Sequence, residues 1–71
     1  MKIHRIMKTS IIKYKTIAFI NGIKYLTENQ INDIIHIICN NLNIQPTDKN
    51  SNAVKEGIQI YFDIQNSHIK I

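Results

Sequence analysis

Asn21-Gly22 sits between two runs rich in β-formers, Lys13-Tyr-Lys-Thr-Ile-Ala-Phe-Ile20 and Ile23-Lys-Tyr-Leu26, and no other feature constrains the fold so tightly. A type I′ turn needs positive φ at both central residues, which asparagine and glycine supply at least cost, so this pattern predicts a β-hairpin. A two-residue loop also sets the register, pairing Ile20 with Ile23, Phe19 with Lys24, Ala18 with Tyr25 and Ile17 with Leu26. Two faces follow from the period of two. Ile12, Tyr14, Thr16, Ala18, Ile20, Ile23 and Tyr25 form the expected core face; Lys13, Lys15, Ile17, Phe19, Lys24 and Leu26 form the other.

Thr27 with Gln30 three residues on is a capping box, in which each side chain satisfies the other residue's unpaired backbone N–H. The helix it opens is expected to reach Asn41 or Asn43, because Ile31, Ile34, Ile35, Ile38 and Leu42 recur at the spacing of one buried stripe. Asn43 suits the left-handed residue that ends a helix, and Pro46 prevents continuation. Residues 45–57 are dense in turn formers and read as a loop, with one helical turn capped by Ser51 or Asn52 and stopped at Gly57. Ile58, Ile60, Phe62 and Ile64 alternate as in a half-buried strand, and His68 to Ile71 reads as a short return strand after a turn at Gln65-Asn66-Ser67.

The order hairpin, helix, strand, strand predicts one α+β domain over residues 11–71, with a single helix across one face of a small mixed sheet, preceded by a flexible basic arm at 1–10. The run Ile17-Ala-Phe-Ile-Asn-Gly-Ile-Lys-Tyr-Leu, the capped helix and the later Val54-Lys-Glu-Gly-Ile-Gln-Ile-Tyr resemble the β-grasp family, in particular its ubiquitin-like sulfur carriers. The resemblance implies a β-grasp-like fold. Sulfur carriers work through a C-terminal Gly-Gly, whereas this sequence closes Ser67-His-Ile-Lys-Ile71, so what it implies for activity is at most a degenerate sulfur-carrier-like protein.

Composition limits the function classes. Ile occurs 18 times in 71 residues, Asn 9 and Lys 8, about half the chain, and all three have codons rich in A and T, which marks a genomic bias. The apolar content is still well above the roughly 20% below which chains stay disordered, so the chain should fold. Cys39 is the lone cysteine, which excludes an internal disulfide and points to the cytoplasm. No apolar run approaches the roughly 20 residues that span a bilayer, so no membrane role is expected. The acid-free, irregular start was also weighed as a targeting segment, which its single Arg5 and single Ser10 disfavour.

Catalytic and metal chemistry find little footing. Asp33, His36 and Cys39 fall at i, i+3 and i+6 on the helix, a row reminiscent of a nucleophile arrangement, but it lies on the polar flank with no Gly-rich turn beside it to supply oxyanion donors. The simpler reading is two solvated side chains and a small hydrophobe at the core edge. His4, His36, His68 and Cys39 lack the close spacing of a structural zinc site, and Gly22 and Gly57 are too isolated for a phosphate loop. The expectation is a protein that is not an enzyme and needs no cofactor or metal.

Binding is the better fit. Lys2, Arg5, Lys8, Lys13, Lys15 and Lys24 fall in the first 27 residues without one acid, and residues 28–71 carry three lysines against five acids. Lys13, Lys15 and Lys24 around Phe19 would suit phosphates and a stacked base, which makes nucleic acid an alternative partner, though a single arginine argues against specific readout. With Ile17, Phe19 and Leu26 on the second sheet face and Ile37 opposite the helix stripe, the leading expectation is a protein-binding module that docks on a larger protein or protein–nucleic acid complex, or on a second copy of itself. Its size and A+T-leaning composition parallel the small inhibitors of host complexes carried by phages and mobile elements, anti-CRISPR proteins among them.

Overall fold

A computed structural model of the chain describes residues 8–67, and those residues form three helices: α1, Thr9–Phe19; α2, Glu28–Asn41; and α3, Asp48–Ser67. Among the described residues there is no strand. The α+β architecture, the mixed sheet and the β-grasp resemblance are therefore overturned, and with them the sheet face on which Lys13, Lys15, Ile17, Phe19, Lys24 and Leu26 were expected to lie together. The arm at 1–10 falls outside the described residues as far as residue 7, while Thr9 and Ser10 belong to α1. The return strand at 68–71 also falls outside them.

The hairpin fails at its turn. Gly22 has φ +95°, but Asn21 does not have positive φ, so the type I′ geometry is not met. Asn21-Gly22 instead stops a helix. Ile20 closes α1 by donating its N–H to the Thr16 carbonyl at 3.0 Å, Ile23 N–H turns back to the Ile20 carbonyl at 2.9 Å, and residues 23–27 then run without regular structure to the next cap. Residues 12–20 meet their hydrogen-bonding needs locally as a helix, a solution that requires no partner strand. Ile12, Thr16 and Ile20 are buried, and the Thr16 hydroxyl donates to the Ile12 carbonyl at 2.8 Å, so this polar group enters the core already satisfied.

α2 follows its sequence signals closely. Thr27 Oγ1 accepts from Gln30 N–H at 3.1 Å while Gln30 Oε1 accepts from Thr27 N–H at 2.9 Å. Ile34, Ile35 and Ile38 are buried, with Ile31 and Leu42 packed at the margins of the core. Asn43, at φ 59°, takes the left-handed position, and the N–H groups of Ile44 and Asn43 reach back to the carbonyls of Cys39 and Asn40 at 2.9 and 3.2 Å. This pair of bonds is a Schellman ending, which satisfies two otherwise orphaned carbonyls.

The expected loop at 45–57 and the strand at 58–64 are one continuous helix. Thr47, directly after Pro46, caps it by accepting from Asn50 N–H at 3.1 Å, and Asp48 in the first turn complements the positive end of the helix dipole. α3 does not stop at Gly57. It buries Ala53, Val54, Gly57, Ile58 and Tyr61, a pair-and-single recurrence every four residues that fits a helix and no strand. Ile60 and Ile64, which a strand would place beside Ile58, are 37% and 57% exposed.

Glycine in a helix interior costs roughly 1 kcal/mol relative to alanine, and here tertiary packing offsets it. A Cβ on Gly57 would stand 3.0 Å from the Lys13 carbonyl oxygen, 3.0 Å from Thr16 Cβ and 3.1 Å from Lys13 Cα. The missing side chain is what lets α3 press its backbone against α1. The core so formed joins Ile12 and Ile20 of the first segment, Ile34, Ile35, Ile38 and Cys39 of α2, and Ala53, Val54, Ile58 and Tyr61 of α3.

Candidate functional site

A soluble helix ordinarily turns a polar back to water, and α1 does not. Its buried edge is Ile12, Thr16 and Ile20; the opposite face carries Ile11, Tyr14, Lys15 and Ala18 at the i, i+3, i+4, i+7 spacing of a single helix face. Tyr14 is 71% exposed and Ile11 43%. Phe19, 47% exposed, stands at the edge of this face and leads into a groove between α1 and α2 with a volume of about 230 Å³, lined by Lys15, Ala18, Phe19, Ile38, Asn41 and Leu42. α1 contains no acidic residue, so the only charge at the groove is the Lys15 ammonium, which forms no ion pair among the described residues.

The fold disperses the residues expected to bind a partner. Lys15 and Phe19 do share the groove. Lys13 points the other way and pairs with Glu56 of α3 at 3.0 Å, a half-exposed contact of the kind that contributes about 0–1 kcal/mol. Ile17 and Leu26 are half-buried and pack against the core. Lys24 lies beside Asn21, Gly22 and Tyr61 in a separate depression, and Ile37, 43% exposed, lines another with Ile44 and Pro46. Reasoning from the sequence missed Ile11, Tyr14 and Ala18 as surface residues, because a period of two assigned Tyr14 and Ala18 to the core face; the helical spacing of 11, 14, 15 and 18 was the signal that would have found them.

The row on α2 does not assemble into a reacting centre. His36 Nδ1 is 2.9 Å from the Asn32 carbonyl one turn earlier, Asp33 is exposed, and Cys39 is almost wholly buried at 1% exposure. Burial pushes the Cys39 thiol above its ordinary value of 9.0, the direction opposite to nucleophile activation. Among the described residues no three of His, Cys, Asp and Glu come together as a metal site would require. None of the described helices is long and apolar enough to cross a membrane.

The Cys39 shift has a measurable consequence. The unfolded chain releases the thiol proton near 9.0, whereas the folded chain holds it to higher pH, so the difference between the two states is constant below 9.0 and falls away as pH rises past it. Urea midpoints of the wild type and of Cys39→Ala, measured from pH 8 to pH 10.5, are expected to converge above pH 9, by at most about 1.4 kcal/mol per pH unit. Parallel profiles would show that the thiol ionises equally in both states. No protein-family model matches the chain, and neither a curated protein nor a solved structure matches it.

Proposed function

We propose that the protein is a binding module that docks the outward face of α1 and the adjoining α1–α2 groove onto an acidic, apolar-faced segment of a larger protein. The observation that carries this reading is the helix that is apolar on both sides: Ile11, Tyr14, Ala18 and Phe19 face outward although Ile12, Thr16 and Ile20 already fill the core. A clustered apolar face on so small a domain marks an interaction surface. Its charge selects the partner. Lys8 and Lys15 flank the face and no acid lies on α1, so a second copy of the same face would bring lysines together, whereas an acidic segment would neutralise them. A component of a host complex bound by a mobile-element inhibitor is one partner of this description. The dispersal of Lys13, Lys15 and Lys24 to three places weighs against nucleic acid, because phosphate tracking needs them aligned.

Substitutions on the surface provide the test. Tyr14→Gln with Phe19→Gln, and separately Lys15→Glu, should leave the helical circular dichroism of the protein intact. A stoichiometric protein partner retained by the wild type is expected to be lost from both variants, and its retention by the wild type to weaken with salt. A partner held equally by all three forms, or a nucleic-acid gel shift that Lys15→Glu abolishes, would overturn the assignment.

A further inference from the structure

The Asn21-Gly22 pair makes no hairpin, and binding at α1 does not use it. We infer that Asn21 is a modification site, a deamidating asparagine whose reaction is gated by the hydroxyl of Tyr61. In such a pair the glycine peptide nitrogen gives up its proton and attacks the asparagine Cγ. A C–N bond forms, the side-chain amide leaves as ammonia, and the five-membered succinimide is opened by one water at either carbonyl to leave aspartate or isoaspartate.

Asn21 is exposed, and a Cβ placed on Gly22 would meet nothing within 4 Å, so sterics do not oppose ring closure. Hydrogen bonding does. Gly22 N–H, the attacking group, donates to Tyr61 Oη at 2.8 Å, and the next N–H, from Ile23, donates to the Ile20 carbonyl at 2.9 Å, so the peptide planes on both sides of Gly22 are held. Attack requires the first of these planes to rotate toward Asn21 Cγ, which breaks the bond to Tyr61. The ring of Tyr61 is 7% exposed within the core, so its hydroxyl is a fixed post that accepts the hydrogen without removing it.

Reaction at Asn21 thus reports on undocking of the turn from α3. It also places a negative charge in the acid-free first 27 residues, three positions from Lys24 and in the turn that closes α1. An isoaspartate would add a methylene to that turn.

Intact-mass measurement and peptide mapping of the full chain at neutral pH test the gate. The native protein is expected to exchange amide for acid at Asn21 about tenfold more slowly than the same chain in urea, the protection afforded by a local opening that must precede reaction. Tyr61→Phe keeps the ring and removes the oxygen, and should lose most of that protection while remaining helical. Since Tyr61→Phe also weakens the fold, Ile34→Val serves as a variant destabilised away from the turn, and its Asn21 rate should stay near the wild type. Asn21→Gln should abolish the signal in that peptide. A native rate equal to the unfolded one, no acceleration in Tyr61→Phe, equal acceleration in Ile34→Val, or a signal that survives Asn21→Gln would each overturn the inference.

Discussion

Replacing Gly57 by leucine is expected to unfold the protein, and replacing it by alanine to weaken it even though alanine is the better helix former. Two effects of similar size oppose each other at this position. Alanine gains roughly 1 kcal/mol of helix propensity, while overpacking a tight contact costs about 1–3 kcal/mol. Which wins depends on whether the neighbours can give way. The atoms 3.0 Å from the added Cβ are the Lys13 carbonyl oxygen and Thr16 Cβ, with Lys13 Cα at 3.1 Å; these belong to the α1 backbone or its root and cannot swing aside. α1 itself must move, which disturbs the packing of Ile12 and Ile20. A core of this size supplies only about 3–5 kcal/mol, so the alanine variant should show a clearly lower urea midpoint and leucine no cooperative transition. An alanine variant as stable as the wild type would mean that the two helices are not pressed together at Gly57.

Ile12→Ala is expected to cost about 2–5 kcal/mol, enough to leave much of the population unfolded, because Ile12 is fully buried and a cavity would remain in the centre of the α1 packing. Tyr14→Ala, two residues on, is expected to change stability by no more than about 0.5 kcal/mol, since Tyr14 is 71% exposed. A strand would put both side chains on one face and make the two substitutions comparably damaging. Thermal or urea unfolding of the pair therefore separates helix from strand without a new structure, and equal losses would contradict the helical α1.

The Ile12–Tyr14 contrast also explains why the sequence misleads. Positions four apart share a face in both a strand and a helix, so Ile12, Thr16 and Ile20, or Ile58 and Phe62, fit either pattern. Only the intervening positions discriminate, and there Tyr14, Ala18, Ile60 and Ile64 carry apolar or small side chains that a biased composition supplies whether or not the site is buried. In the structure all four are exposed. The same residues that blurred the pattern form much of the candidate surface: Tyr14 and Ala18 were read as core when they face outward. Lys15 and Phe19, placed on the outward face by either reading, were the part of the site that could be recognised.

What the sequence by itself determined is α2. Its capping box, its stripe from Ile31 to Leu42 and its left-handed Asn43 involve groups within a few residues of one another, and such interactions are complete before any other element docks. Only the tertiary structure decided the state of residues 12–20 and 53–64. Gly57 reads as a helix stop when its cost is counted locally; it becomes a helix interior because α1 lies against the place where its side chain would be. Asn21-Gly22 likewise serves a hairpin or a helix ending equally well, and the Tyr61 hydroxyl, 39 positions away in the chain, holds the turn that formed.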